Sequence, residues 1–478
     1  MSVLSNARNH DESSRRDHAS RTAPAARAAE REPRAPKPSG SAADIGAELY
    51  DLVARLYPTC RSITGDGVRS TLAELARIVP LEVHEVPTGT AVFDWHVPRE
   101  WNIRDAYIKD STGRRVVDFQ TSNLHVVNYS VPVHEEMTLA ELRPRLHTLP
   151  DKPEWIPYRT SYYRPEWGFC VAHNQLLALE DGRYEVCIDA TLEDGSLTYG
   201  EVYLPGESTD EVLISCHVCH PSLCNDNLSG VALGTYLARH LAARSRRRYS
   251  YRFVFVPGTI GAITWLSQNS SRLDRIRQGF VLALVGDPGP STYKKSRRGD
   301  ALIDRAFQHV LRHSGRPYSV QEFEPLGYDE RQYCSPGINL SVGCLMRTPH
   351  GKYPEYHTSA DDLQLIQADA LADSWTKCLS AIDVLEGEAT YRNLSPCGEP
   401  QLGRRGLYRA MGGIAEQAEL EKALLWVLNF SDEQHSLLDI AERANLPFAI
   451  VRKAADLLVE HELLAESAGG QYPVKNQV

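Results

Sequence analysis

Apolar positions 45, 49, 52, 53 and 56 in "DIGAELYDLVARLYP" recur at helical spacing, and Pro58 closes the helix they predict. A second helix is expected over "GVRSTLAELARIV", after the "CRSITGDG" turn. From about Val83 to Val171 the spacing shortens to β-like runs, "AYIKD", "RVVDF" and "LHVVNYSVPV", set among aromatics and prolines. Farther on, apolar strands alternate with helices: "EVLISCH", "SGVALGTYLARHLAA", "YSYRFVFVPG", a helix near 261–271, "GFVLALVGD", "GDALIDRAFQHVLRH" and "LSVGCLM". Strands separated by helices of this length predict an α/β unit with a largely parallel sheet covered on both faces. In such sheets ligand sites lie beyond the carboxyl ends of strands, where His217, Gly258 and Asp287 fall.

The division this predicts is a disordered tail over 1–42, an α/β domain over 43–82 and 172–400, a β-rich insert over 83–171, and a winged-helix unit over 415–470. The tail is rich in Arg, Ser, Ala and Pro with almost no large apolar side chain, too little to offset the entropy of ordering. Its arginines allow an RNA-binding or targeting role, but interleaved acidic residues and the lack of an amphipathic face favour a solvated tail. Within the insert, "IPYRTSYYRPEWGF" places Arg159 and Arg164 among tyrosines. The plainer reading is a proline-rich packing edge, and the sharper one a substrate-facing lid carrying a cation for a carboxylate.

At 478 residues the chain exceeds one ordinary core, and 42% apolar with 24% charged residues is a globular balance. The net charge of −10 argues against a nucleic-acid binder, and no apolar run reaches the ~18 residues of a membrane span. Ten scattered cysteines without a secretory h-region favour reduced thiols and a cytoplasmic protein. Residues 419–466 read as helix, helix, turn, helix, the pattern of a DNA-binding winged helix, yet carry ten acidic against four Lys or Arg residues. A net −6 there repels DNA, so a protein-interaction or dimerisation module, and hence a homo-oligomer, is expected.

The chemistry concentrates in "LISCHVCHPSLCNDNLSG", where two histidines, three cysteines and an aspartate follow an apolar run. His217 ends a strand and Asp226 precedes the next helix, where it could equally be a cap. His357 in "YPEYHTSADDL" lies on a separate loop. Two imidazoles and the carboxylates of Asp226 and Asp287 suit a divalent transition metal, most plausibly zinc. A rival structural zinc site of Cys216, Cys219, Cys224 and His220 lacks a second Cys-x-x-Cys, and strand alternation turns Cys216 away from His217.

"SCHVCHPSLCNDNLSGVALGTYLA" resembles the Asn-Asp-Asn-x-Ser-Gly segment of co-catalytic zinc aminopeptidases. With "LYPTCRSITGDGVRSTL", "DERQYCSPGINL" and "YPEYHTSADDL" it resembles more closely the bacterial aminopeptidase-like proteins that add a β-rich insert and a C-terminal winged helix. The resemblance covers about residues 45–465 and implies an α/β, phosphorylase/hydrolase-like zinc-peptidase core with a mixed sheet. It makes Asp226 the carboxylate bridging two metals, with His217 and Asp287 on one and His357 on the other. Where the zinc aminopeptidases carry a Glu-Glu pair, this chain has Gly258, so one firmly bound zinc is expected and a second is in doubt. His220 is the candidate replacement ligand. Glu330 and Glu355 are the candidate general bases, each with the alternative of a salt-bridge role. Arg159, Arg331, Arg347 and Tyr356 are the candidate substrate contacts, with Arg331 and Arg347 having the alternative of pairing with Glu330 and Glu355. The expected function is a zinc hydrolase cleaving an amide in a small peptide or amino-acid conjugate. The competing reading is a metal-containing binding protein that has lost its base.

Overall fold

The computed structural model describes residues 42–407 and 415–467; the 1–41 part of the expected tail lies outside them, as do residues 468–470 of the expected winged-helix unit. The expected helices form as Ala42–Leu56 and Asp66–Ala76, burying Leu49, Leu52, Val53 and Leu56 from the first and Val68, Leu72 and Leu75 from the second.

An eight-stranded mixed sheet organises the chain, in the order Glu82–Pro87, Ser196–Leu204, Ser250–Val256, Glu211–His217, Ile276–Leu282, Val342–Met346, Ser291–Lys294, Tyr318–Gln321. The four strands around Glu211–His217 are parallel, and antiparallel pairs flank them on both sides. Strand alternation splits the core in two. Val212, Ile214 and Cys216 pack with the helices Ala42–Leu56, Ser229–Ala242 and Ala368–Gly387, while Leu213 joins the opposite cluster with Trp265, Tyr333 and the insert's Trp101 and Val186.

The insert differs from its expected bounds. Glu82–Pro87 pairs in the main sheet, and the insert's own four-stranded sheet runs Arg115–Asp118, Glu100–Lys109, Arg183–Glu193, Val133–Thr138. The returning strand Arg183–Glu193 lies past the expected end at 171 because its alternating pattern resembles that of the Ser196–Leu204 strand after it.

The winged-helix unit begins earlier than 415, since Thr390–Asn393 pairs with both Asp432–Ser436 and Leu464–Glu466. It packs on the core as part of the same apolar cluster. Arg305 bonds Asp439 and Glu442 at 2.7 and 2.6 Å, the Phe448 amide donates to His309 Nε2 at 3.0 Å, and Arg452 donates to the Gly387 carbonyl at 2.8 Å. The Phe448–Glu460 helix, which such a unit lays on DNA, thus carries contacts to the core. Removing 419–466 will uncover apolar surface of the core and lower solubility, read by light scattering. A truncated chain that stays monodisperse with unchanged oligomeric state contradicts this.

Candidate metal centre

The Glu211–His217 strand is buried along its whole length, and its odd positions face the insert side, which is where His217 emerges. Cys216 turns the other way, its Sγ donating to the Gly230 carbonyl at 3.2 Å. The turn that follows is held from two directions. Asn225 Oδ1 accepts from the Gly286 and Asp287 amides at 2.9 and 3.2 Å, and Asn227 bonds the Leu284 amide and the Leu282 carbonyl at 3.2 and 2.9 Å. With its two neighbours tied to the 282–287 segment, Asp226 is left to point elsewhere. Asp361 fixes its backbone, accepting from the Asn225 and Asp226 amides at 2.6 and 3.0 Å.

The Asp226 carboxylate meets three imidazoles. Nε2 of His217 lies 2.8 Å from Oδ1, while Nε2 of His357 and of His220 lie 2.9 and 3.9 Å from Oδ2. The helix Ser229–Ala242 has no side-chain cap bond, so Asp226 is not serving as its cap. His357 holds a positive φ of 55°, and its carbonyl accepts the Tyr158 amide at 2.8 Å. The Tyr158 ring lies 5.2 Å from His220 and 5.1 Å from His357, and the insert backbone at Ile156 bonds Ser359 on both sides. The "IPYRTSYY" segment therefore sits over the imidazole group.

Electrostatics favour a cation here. Burial works against ionising Asp226, yet His220, His217 and His357 hold its carboxyl well below the usual carboxylate range. Burial also pushes His220 far below its ordinary value, leaving a neutral ring with a free lone pair. Among the described residues no Lys or Arg pairs with Asp226, and a buried carboxylate among imidazoles is a donor set that suits zinc. Donor atoms of His217, His220 and Asp226 lie within 4.8 Å of one another; this group contains no cysteine, against the rival thiolate site.

Other expected residues lie differently. Asp287 is not in the donor group: its Oδ1 accepts from Thr348 Oγ1 and the Gly289 amide at 2.6 and 2.8 Å, its Oδ2 from Asn225 Nδ2 and the Thr348 amide at 3.1 and 3.2 Å. Glu330 is fully buried, ion-paired to Lys294, and accepts the Tyr328 amide at 3.2 Å, so its carboxylate is taken. Arg347 is buried against Asp373 at 2.7 Å, which removes it from substrate contact. Half-buried Glu355 makes no side-chain hydrogen bond or ion pair among the described residues, and neither do the guanidinium groups of exposed Arg159 and half-buried Arg331. Tyr356 stacks on His357 with centroids 3.9 Å apart.

At Gly258 the volume that a side chain would need is occupied. A Cβ there would lie 2.1 Å from the Tyr328 hydroxyl and 2.2 Å from its Cε1. The Tyr328 ring packs 4.1 Å from that of His217, and its hydroxyl lies 3.6 Å from Cys219 Sγ, which accepts the Gly258 amide at 3.2 Å. Burial raises the phenol far above its ordinary pKa, so it stays a donor.

Sequence reasoning passed over Arg61, Asp361, Tyr158 and Tyr328. Buried Arg61 donates through Nε to the His220 carbonyl at 2.7 Å and so shapes the loop carrying that ligand candidate. Three lie inside segments singled out in the sequence and Tyr328 immediately precedes one, but only their contacts reveal what they do.

Comparisons with known proteins identify the family and the fold. The model of the family described as a domain of unknown function (DUF4910) matches residues 50–388, and that of a winged helix-turn-helix matches 389–466. A Clostridium acetobutylicum protein, provisionally named for polysaccharide biosynthesis with an aminopeptidase-like domain, is 52% identical over 89% of this chain and 97% of its own length. A crystal structure of a provisionally named peptidase from Clostridium acetobutylicum is 51% identical, with a TM-score of 0.85 over 89% of this chain and 97% of that one. A zinc aminopeptidase from Bacillus subtilis shares the fold at 12% identity, with a TM-score of 0.52 over 71% of this chain and 94% of that one.

Proposed function

The chain belongs to the DUF4910 family of aminopeptidase-like proteins with a C-terminal winged helix, and from that membership we propose that it is a zinc-dependent hydrolase of an amide or peptide bond. The observation that carries the proposal is the convergence of His217, His220 and His357 on one buried carboxylate that no Lys or Arg among the described residues pairs with. His217, His220 and Asp226 would hold one zinc firmly, with His357 on the far oxygen of Asp226 completing that ion or weakly holding a second. Bound there, zinc supplies Lewis-acid polarisation of an amide carbonyl and lowers the pKa of water.

The protein's own groups divide the remaining work. Glu355, two residues before His357 and without a side-chain partner among the described residues, is the general base in this proposal. Tyr328, protonated beside His217, is placed to donate to a developing oxyanion. Tyr158 and the segment around it cover the imidazoles and exclude water. Arg159, Arg331 and Tyr356 are the proposed contacts to a small peptide or amino-acid conjugate, and the relative's name suggests a saccharide-linked amide as one such conjugate.

The proposal includes a cytoplasmic location, supported by ten free cysteines. It also includes self-association or a protein partner, not nucleic acid, at the acidic winged helix. No helix among the described residues is long and apolar enough to cross a membrane.

The experiment is an amide and aminoacyl-substrate screen with and without chelator. Chelator-sensitive amine release is expected, and Glu355→Gln should lower kcat by about 10²–10⁴ with bound zinc unchanged. Glu330→Gln should instead destabilise the fold by about 3–5 kcal/mol, because it strands the buried Lys294. Tyr328 in the volume of the missing glutamate favours the second reading, a metal-containing binding protein. A chain that binds zinc and releases no amine from any substrate establishes that reading.

A further inference from the structure

His217 presents Nε2 to the site, and a neutral imidazole that ligates through Nε2 carries its proton on Nδ1. That Nδ1 is buried and has no hydrogen-bond partner. A buried donor left unpaired is destabilising, and ligating histidines usually give this proton to a carboxylate or carbonyl. A buried acceptor beside Tyr328, whose ring packs against His217, also lacks a partner, Oδ2 of Asp329.

Asp329 is fully buried and opens the short helix Glu330–Tyr333, directly after Tyr328, whose ring lies against His217. Its Oδ1 is already used, accepting the Thr259 amide at 2.6 Å where the chain leaves Gly258. No Lys or Arg forms an ion pair with it among the described residues, and of the charges around it His217 acts most strongly. The nearby sulfur is no substitute acceptor: Cys219 Sγ is engaged with the Gly258 amide, His220 and Tyr328.

We propose that Asp329 is the positioning residue of the metal centre: its free Oδ2 accepts the Nδ1 proton of His217, fixing the tautomer that presents the Nε2 lone pair to zinc. Donor and acceptor match in number and burial. The inference rests on the zinc reading of the same site, but its readouts do not depend on turnover.

Zinc affinity is measured by competition with a chromophoric chelator for the full chain and for Asp329→Asn. The asparagine keeps an oxygen for the Thr259 amide and loses the carboxylate, so a merely structural role leaves affinity unchanged. The expected result is a loss of about 10–100-fold. Imidazole ¹⁵N spectra of the unmodified protein give a second readout that stands even if the variant fails to fold. With the His217 signals assigned by their loss in His217→Gln, a slowly exchanging proton on Nδ1 is expected with and without zinc. Unchanged affinity in Asp329→Asn, or a His217 that carries its proton only on Nε2, overturns the inference. Failure of the unmodified chain to bind zinc instead removes the zinc reading, while the spectra still decide the Asp329–His217 pairing.

Discussion

Gly258→Glu will disturb the metal centre rather than complete a second one. From the sequence alone the substitution restores the glutamate of the zinc aminopeptidases and should strengthen a second site. The structure reverses that expectation, because a Cβ at 258 meets the Tyr328 hydroxyl at 2.1 Å and its Cζ at 2.3 Å. The ring cannot yield freely, being packed between His217 and Cys219. Overpacking of this kind costs about 1–3 kcal/mol, and here the displaced ring presses on His217, the proposed ligand, so zinc affinity should fall with stability. Removing the obstruction separates volume from chemistry: Gly258→Glu with Tyr328→Ala should bind a second zinc that neither single variant binds. Calorimetric titration reads the stoichiometry. A Gly258→Glu chain as stable as the parent and holding two zinc ions would show that Tyr328 moves aside.

His217→Ala should remove zinc almost completely, from about one ion per chain to nearly none by elemental analysis. Its Nε2 contributes directly to the donor group, so the loss should exceed the roughly 100-fold upper end typical of outer-shell substitutions. Of the close donor group only His220 and Asp226 would remain, with His357 outside it, too few donors for firm tetrahedral binding. Unchanged metal content would remove His217 from the centre.

The sequence pattern carried much of this architecture. Strand and helix alternation over 211–346 predicts the parallel centre of the sheet, whose strands are largely apolar, whereas the short polar strands Ser291–Lys294 and Tyr318–Gln321 carry no such signal; the Glu211–His217 alternation correctly sends Cys216 away from His217. Domain limits were less legible. The Arg183–Glu193 and Ser196–Leu204 strands are adjacent and alike in pattern, and only pairing assigns one to the insert and the other to the main sheet.

Within the centre, His217, His220, Asp226 and His357 come together as their motif positions suggested. Asp287 ends an apolar run just as His217 does, but Thr348 and Asn225 claim its oxygens, a contact with no signature in local sequence. Glu330 and Glu355 were equivalent candidates by motif. Lys294, 36 residues away in the chain, separates them by neutralising one. Tyr328 and Asp329 escaped notice for a similar reason: a tyrosine and an aspartate in "GYDERQY" read as ordinary loop residues until Gly258 and His217 are seen beside them.

Three imidazoles and one carboxylate that no Lys or Arg among the described residues pairs with are proposed to hold zinc on this chain. The measurement that bears on this most directly is calorimetric titration of zinc into the metal-free, unmodified protein. One tightly bound ion per chain, with a second weak or missing, is the predicted result. Failure to take up zinc, or two ions of equal affinity, would contradict it.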